Sequence, residues 1–373
     1  MAEVFVLAGG GSAGHVNPML ATAAELRRRR PDAELVFLGT AEGLEAELVP
    51  AAGFELTEIE KVPLPRRPSM DALRFPRRWR AATATARAAV AGAAAVVGFG
   101  GYVATPAYLA GRSAGVPIVV HEQNARPGLA NRLGARWASA VGITFDGTPL
   151  PKARLVGLPL RPAVADLVRD RTTDAAGRAR AGADFCGLVP ERTTVLVTGG
   201  SLGAARLNAT VPTAATALVE AGAQVLHLTG RGKSAGVLEL LGAAPAEVSA
   251  HYHVREYLSE MEQALACADL VISRAGAGMV SELAALGIPA VYVPLPIGNG
   301  EQRLNARPVV SAGGGLLVED AELSSSWLRE HVLPLVSDAG LRATMGAGAA
   351  RAGITDGASR LAELVLEAAG AGR

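Results

Sequence analysis

With 373 residues the chain is too long for one ordinary hydrophobic core and suits two domains. Half of its residues are apolar and 19% are charged, which excludes a disordered chain, and a formal net charge of +1 gives no sign of a nucleic-acid partner. Its two cysteines, Cys186 and Cys267, stand in no metal-ligand spacing, so neither a zinc site nor a disulfide framework is expected and a reducing cytoplasm is the plain reading.

The N-terminal "MAEVFVLAGG" lacks a basic region, and its apolar run, Val4 to Ala8, reads as a first strand rather than a signal peptide. No uninterrupted apolar stretch approaches the roughly 18 residues needed to cross a bilayer. Any membrane association is therefore expected at the surface. Along the chain, "EVFVLAG", "ELVFLG", "AAVVGFG", "PIVVHE", "TTVLVTGG", "AQVLHLTG", "ADLVISRAG" and "PAVYVPL" alternate with helical patterns. Apolar strands without polar alternation, each followed by a helix, predict parallel sheets covered on both faces. The pattern also repeats. "VLAGGGSAGHVNPMLATAAEL" parallels "VLVTGGSLGAARLNATVPTAATAL", and a strand–turn–helix–strand unit ending in "AGVP" in the first half parallels one ending in "LGIP" in the second. The fold class is thus α/β, with two doubly wound Rossmann-like domains facing a cleft, and a boundary between Pro149 and Thr194, where "RDRTTDAAGRARAGADF" suits a loop or exposed helix. Ligands in such sheets bind beyond the carboxyl ends of the strands.

The first loop, "AGGGSAGHVNP", matches the dinucleotide pattern G-x-G-x-x-G through Gly9, Gly11 and Gly14. Its backbone amides and the following helix N-terminus suit an anion. An NAD site also needs an acid closing the second strand, but that strand ends "VFLGTAEG" and Glu42 comes late. His15 follows the loop directly, where it can accept a proton or neutralise a phosphate. In "VVHEQNARPGLANR", His121, Glu122, Gln123 and Asn124 lie at a strand's carboxyl end and are expected to point into the ligand crevice. Asn124 could equally cap the next turn. "VTGGSLGAARLN" is a second glycine loop, with Ser201 able to donate to a phosphate. "SRAGAGMVSELAALGIP" offers a third helix N-terminus carrying Glu282, and "PIGNGEQRLNA" sets Glu301, Gln302 and Asn305 after an apolar strand. No D-x-D or H-E-x-x-H occurs, so no protein-held metal is expected.

In order and spacing these segments closely resemble the MurG family, the UDP-N-acetylglucosamine:undecaprenyl-diphospho-muramoylpentapeptide N-acetylglucosaminyltransferases of GT-B fold. The likeness runs from Leu7 to about Glu319 through "GGGSAGHVNP", "GFGGYVATP", "HEQNARPGLANR", "GLPLR", "TGGSLGAARLN", "SRAGAGMVSELAALGIPAVYVPLP" and "EQRLNA". The resemblance implies an N-terminal acceptor- and membrane-facing domain over 1–160 and a UDP-sugar-binding domain over 161–337, with a C-terminal helix at about 338–373 packing back on the first. It implies that Ser12, Ala13, Gly14 and Asn124 touch the donor sugar or diphosphate and that Arg161 and Ser201 serve the phosphates. By the same likeness, the Leu258 backbone reads uracil, Ala277, Gly278 and Met279 form the third loop, Glu282 accepts the ribose hydroxyls, and Gln302 contacts the sugar. His15 matches the family's base or charge stabiliser. Ser12 and Ala13 depart from the usual G-G-T-G-G-H, Ala13 adding a methyl where backbone must approach closely. Met279 stands where threonine is common.

The implied reaction is inverting transfer of N-acetylglucosamine from UDP-GlcNAc to the muramoyl C4 hydroxyl of the lipid-linked acceptor, with no cofactor. The alternative is another UDP-sugar-dependent transferase with a soluble acceptor. The resemblance also gives the arm "PRRPSMDALRFPRRWRAATATAR" a task. Met70, Leu73, Phe75 and Trp79 would insert at an anionic membrane surface on the cytoplasmic face while Arg77 and Arg78 meet its charge. A segment packed on its own domain is the competing reading. Pro76 predicts a loop followed by a helix from about Arg77. Other cell-wall synthesis proteins are further partners compatible with this reading.

Overall fold

The computed structural model describes residues 3–62, 70–200 and 204–371, with only the backbone of 70–74. The chain forms two compact units, Met1–Arg161 with Asp356–Arg373, and Pro162–Thr355.

The first unit is built on β1 (Val4–Gly9), β2 (Glu34–Gly39), β3 (Leu56–Glu58), β4 (Ala95–Gly100), β5 (Ile118–Glu122), β6 (Ala140–Ile143) and β7 (Ala153–Leu155). These pair in the order β3-β2-β1-β4-β5-β6-β7, all parallel. The connecting helices include α1 (Ala13–Arg29), α2 (Glu45–Ala51), α3 (Met70–Val90), α4 (Ala104–Ala114) and α5 (Leu129–Gly134). Successive residues of β1 serve opposite faces, as the two-residue strand period requires. Phe5 and Leu7 pack with Val16 and Met19 of α1 and with Leu361 and Val365 of the C-terminal helix. Val6 and Ala8 pack with Ala86 and Val90 of α3 and Ala107 of α4. Both faces are therefore covered, which explains why the strands read as continuous apolar runs.

The second unit repeats the plan. Strands β8 (Thr193–Thr198), β9 (Ala223–Leu228), β10 (Tyr252–Arg255), β11 (Leu270–Ser273), β12 (Ala290–Tyr292) and β13 (Gly315–Leu317) pair in parallel in the order β10-β9-β8-β11-β12-β13. That is the order of the first six strands of the other sheet, so the sequence repeat is a repeat of topology. In each unit the winding reverses between the first and fourth strands, which places a ligand crevice beyond the ends of β1 and β4, and of β8 and β11. The polar stretch of the boundary region is helical, within α6 (Pro162–Cys186), which kinks at Asp174 (φ −145°, ψ 64°).

Two sequence expectations need correction. The segment returning to the first unit is shorter than 338–373. Helix Ala339–Ala352 belongs to the second unit, because Gly346 and Gly348 let it lie against the backbone of Gly287 and Gly313, where a Cβ would stand 2.6 Å from each. Only helix Gly357–Ala371 returns, burying Leu361, Leu364 and Val365 and accepting a 2.6 Å hydrogen bond from Arg29 Nη2 at Ser359 Oγ. Nor does Pro76 divide the basic arm: α3 runs through it from Met70. The missing N–H costs one helical hydrogen bond. The helix persists because Ala82, Ala86 and Val90, spaced four apart, are buried on the sheet. The Phe75 and Trp79 rings also stack at 5.7 Å, with Trp79 edge-on to Tyr102 at 6.3 Å. Among the described residues no helix is long and apolar enough to cross a membrane.

Candidate active site

At the end of β1 the ladder to β4 shifts register between Ala8 and Gly9, and the chain turns through Gly11 (φ 85°) into α1. Gly11 demands glycine for its positive φ. Ala13 is already helical and accommodates its methyl. Ser12 is the N-cap residue, and its hydroxyl lies 3.0 Å from His15 Nδ1. The same nitrogen lies 3.0 Å from the Gly10 carbonyl oxygen. A carbonyl can only accept, so Nδ1 carries the proton and Nε2 keeps its lone pair, facing Gly100. Burial holds the imidazole below the usual histidine range, against the raising effects of the Gly10 carbonyl and the Glu45 charge. His15 is therefore neutral near pH 7 and shaped as a base. The amides of Ala13 and Gly14, too early in α1 for intrahelical partners, give the loop its anion-facing end.

The Gly11 amide is already engaged. It donates to Glu45 Oε2 at 2.8 Å, while Oε1 accepts from the Thr40 amide at 2.9 Å and the Thr40 hydroxyl at 2.8 Å. Glu45 is fully buried. Burial pushes its carboxyl up, but donors from Gly11, Thr40 and its own amide outweigh that and hold it below the usual range.

At the end of β5, Glu122 is buried and accepts from the amides of Asn124 (2.9 Å) and Gly128 (3.0 Å) and from Asn131 Nδ2 (2.9 Å). Asn131 also donates to the His121 carbonyl at 3.0 Å and accepts from the Tyr108 hydroxyl at 2.7 Å. His121 Nε2 donates to the Gly157 carbonyl at 3.1 Å, and burial drives its pKa to about 4. His121, Glu122 and Gln123 are buried, and the first two support the loop rather than project into the crevice as expected. Asn124 alone of the four is half-buried.

In the second unit, Gly276 caps helix Ala277–Leu286, so Ala277, Gly278 and Met279 supply its first turn and Glu282 lies one turn on, 6% exposed. Gln302 opens helix Glu301–Ser311, its Oε1 accepting from the Leu295 amide at 3.0 Å. Asn305 is fully buried and donates to the Ala275 carbonyl at 3.3 Å. Leu258 is half-buried in the turn after β10. Arg274 meets Asp320 at 2.5 Å and donates to the carbonyls of Val293 and Pro294, both at 3.1 Å, tying together the loops after β11, β12 and β13. Among the described residues no group of three His, Cys, Asp or Glu side chains gathers as a metal would need.

The glycosyltransferase family 28 N-terminal domain matches residues 5–143, and the family 28 C-terminal domain matches 194–361. The UDP-N-acetylglucosamine--N-acetylmuramyl-(pentapeptide) pyrophosphoryl-undecaprenol N-acetylglucosamine transferase of Clavibacter sepedonicus is 54% identical, over 98% of this chain and 96% of its own. That of Bifidobacterium longum (strain DJO10A) is 52% identical, over 98% and 97%. The crystal structure of Acinetobacter baumannii MurG matches with a TM-score of 0.77 at 26% identity, over 98% of this chain and 100% of that one. The chain belongs to the MurG family.

Its two units accordingly carry the GT-B fold of MurG and its glycosyltransferase relatives. Within this MurG-family chain, Ser12, Ala13, Gly14 and His15 gather at one helix terminus, and Ala277, Gly278, Met279 and Glu282 share another. Arg161 closes the first unit at the boundary with the second. Ser201 lies outside the described residues, as do the side chains of Met70 and Leu73. Of the expected lipid-facing residues, Arg77 is exposed, Phe75 and Trp79 are half-buried, and Arg78 is paired with Glu60 at 2.6 Å. Sequence reading missed Glu45, Tyr108 and Asn131, which hold loops of the first unit, and the Arg274–Asp320 pair, which holds loops of the second.

Proposed function

We propose that this chain transfers N-acetylglucosamine from UDP-GlcNAc to the muramoyl C4 hydroxyl of undecaprenyl-diphospho-muramoylpentapeptide, with inversion, at the cytoplasmic face of the membrane. The observation that carries the reading is 54% identity across 98% of the chain to a relative of that named activity. The C4 oxygen forms its bond to the anomeric carbon as the bond from that carbon to the diphosphate breaks. His15 Nε2 takes the hydroxyl proton, and UDP leaves with the electron pair. Charge on the departing diphosphate is met by amides at helix N-termini and by Arg161 and Ser201, with no protein-held metal in the scheme. Ser12, Ala13, Gly14 and Asn124 contact the sugar or diphosphate. Leu258 reads uracil through its backbone, Glu282 accepts the ribose hydroxyls, and Gln302 holds the sugar. Met70, Leu73, Phe75, Arg77 and Trp79 on α3 meet anionic lipid, where cations and apolar groups act together.

His15→Ala tests the base. Removing a general base is expected to lower kcat on the order of 10²–10⁴-fold with UDP affinity unchanged. Lost UDP binding with normal turnover at saturation would assign His15 to the phosphate instead.

A further inference from the structure

We infer that Glu45 is a positioning residue for His15, its buried carboxylate holding one end of the Gly10–Gly11 peptide group whose other end fixes the imidazole. The inference rests on the reading of His15 as base. Glu45 Oε2 accepts the Gly11 N–H at 2.8 Å, and the Gly10 carbonyl accepts His15 Nδ1–H at 3.0 Å. These two groups belong to a single planar unit, so orienting the N–H orients the carbonyl. A carboxylate on the N–H side also polarises the amide, strengthening the carbonyl as an acceptor. The linkage runs carboxylate, peptide, imidazole, and it leaves Nε2 as the basic nitrogen.

The surroundings are built around this one carboxylate. A Cβ at Gly10 or Gly43 would fall on it, and one at Gly39 would stand 2.5 Å from Glu45 Cγ. Three glycines, from the turn after β1, the end of β2 and the turn that follows it, thus close over Glu45, while Thr40 anchors its second oxygen through both amide and hydroxyl. The carboxylate is satisfied by neutral donors, so its negative charge remains as a field at His15. The other groups against the imidazole are the Ser12 hydroxyl, 3.0 Å from Nδ1, and Gly100 at the end of β4, which faces Nε2, both neutral. On β5, the Glu122 carboxylate accepts from Asn124, Gly128 and Asn131, and His121 is held neutral by burial.

The test compares kcat, KM for UDP-GlcNAc and the pH profile of kcat in wild type, Glu45→Gln, Glu45→Asp, His15→Ala and the Glu45→Gln/His15→Ala double variant. Misorienting a catalytic group by about 1 Å costs on the order of 10²-fold, so Glu45→Gln is expected to lower kcat by that order with KM little changed. Its acid limb moves to lower pH, because His15 loses the charge that raises its pKa. Glu45→Asp keeps the charge on a shorter arm, so kcat falls while the limb stays near its wild-type position. This variant decides the matter if Glu45→Gln does not fold. In the His15→Ala background Glu45→Gln is expected to add no further loss, whereas losses that multiply make Glu45 merely structural and overturn the inference. Full kcat in either single Glu45 variant also overturns it. Nitrogen-15 spectra of histidine-labelled protein give a readout independent of turnover. The His15 Nδ1–H tautomer is expected in wild type and a mixture in Glu45→Gln. If His15→Ala keeps full kcat, the base reading fails while these spectra still decide whether Glu45 orients the ring.

Discussion

Replacing Tyr108 by Phe removes one oxygen from the support beneath the β5 loop and nothing else. Tyr108 is fully buried, and its hydroxyl gives the Asn131 side-chain oxygen its hydrogen bond at 2.7 Å. The ring lies against Gly98 and Gly134, where added Cβ atoms would strike it, so a phenyl ring fits the same slot. Burial pushes the phenol well above its ordinary pKa, so the hydroxyl remains a donor throughout the working pH range. The variant loses a buried hydrogen bond and strands a buried amide oxygen, a cost of about 2 kcal/mol. For a unit of this size that lowers Tm by about 4–8 °C. Calorimetry of the first unit's transition reads the shift, which is expected to be the same at pH 6 and pH 8 to within about 1 °C. Because Asn131 Nδ2 also holds Glu122 and the His121 carbonyl, kcat falls alongside. A Tm within about 1 °C of wild type would refute the view that Asn131 depends on this donor.

Three further outcomes follow from the geometry. Gly10→Ala places a methyl on the Glu45 carboxylate, so kcat is expected to fall with UDP affinity retained, read by steady-state kinetics and calorimetric UDP titration. His227 donates to Asn208 Oδ1 at 3.0 Å and accepts from the Tyr252 hydroxyl at 2.8 Å, and burial lowers its pKa to about 4. Its folded pKa is depressed, so the unfolded chain binds the extra proton and stability is lost as pH falls from the ordinary histidine range towards 4. His227→Gln should flatten the plot of Tm against pH in that window. Arg77→Glu on the exposed side of α3 changes two charges near the surface, expected to weaken binding to anionic vesicles by about 2 kcal/mol with Tm unchanged, measured by co-sedimentation.

Much of the fold was legible because it is written in local patterns. The repeated strand–glycine turn–helix grammar carried over directly to two sheets of the same order. Pro76 signals a helix break locally, but the buried stripe of Ala82, Ala86 and Val90 holds α3 in place, and no local pattern weighs the two against each other. The resemblance implies a returning helix from about 338, but it carries no signal for Gly346 and Gly348, which permit the close backbone approach that keeps helix Ala339–Ala352 in the second unit. His15 and Glu282 were visible from their positions after glycine turns. Glu45 was not, since 34 residues separate it from the Gly11 amide and no spacing rule pairs a carboxylate with a distant N–H. The signal available was the cluster Gly39, Thr40, Gly43 around an acid near the end of β2. Where a dinucleotide site would place a ribose-binding acid, the nearby carboxylate binds the protein's own loop.

The most direct measurement is transfer from labelled UDP-GlcNAc to a short-chain lipid-linked muramoyl pentapeptide, run beside UDP-glucose and beside soluble acceptors lacking the lipid diphosphate. The expected result is a disaccharide on the lipid-linked acceptor, inverted at the anomeric carbon, formed from UDP-GlcNAc in strong preference to UDP-glucose. Equal use of UDP-glucose, or transfer to the soluble acceptors alone, would contradict the assignment.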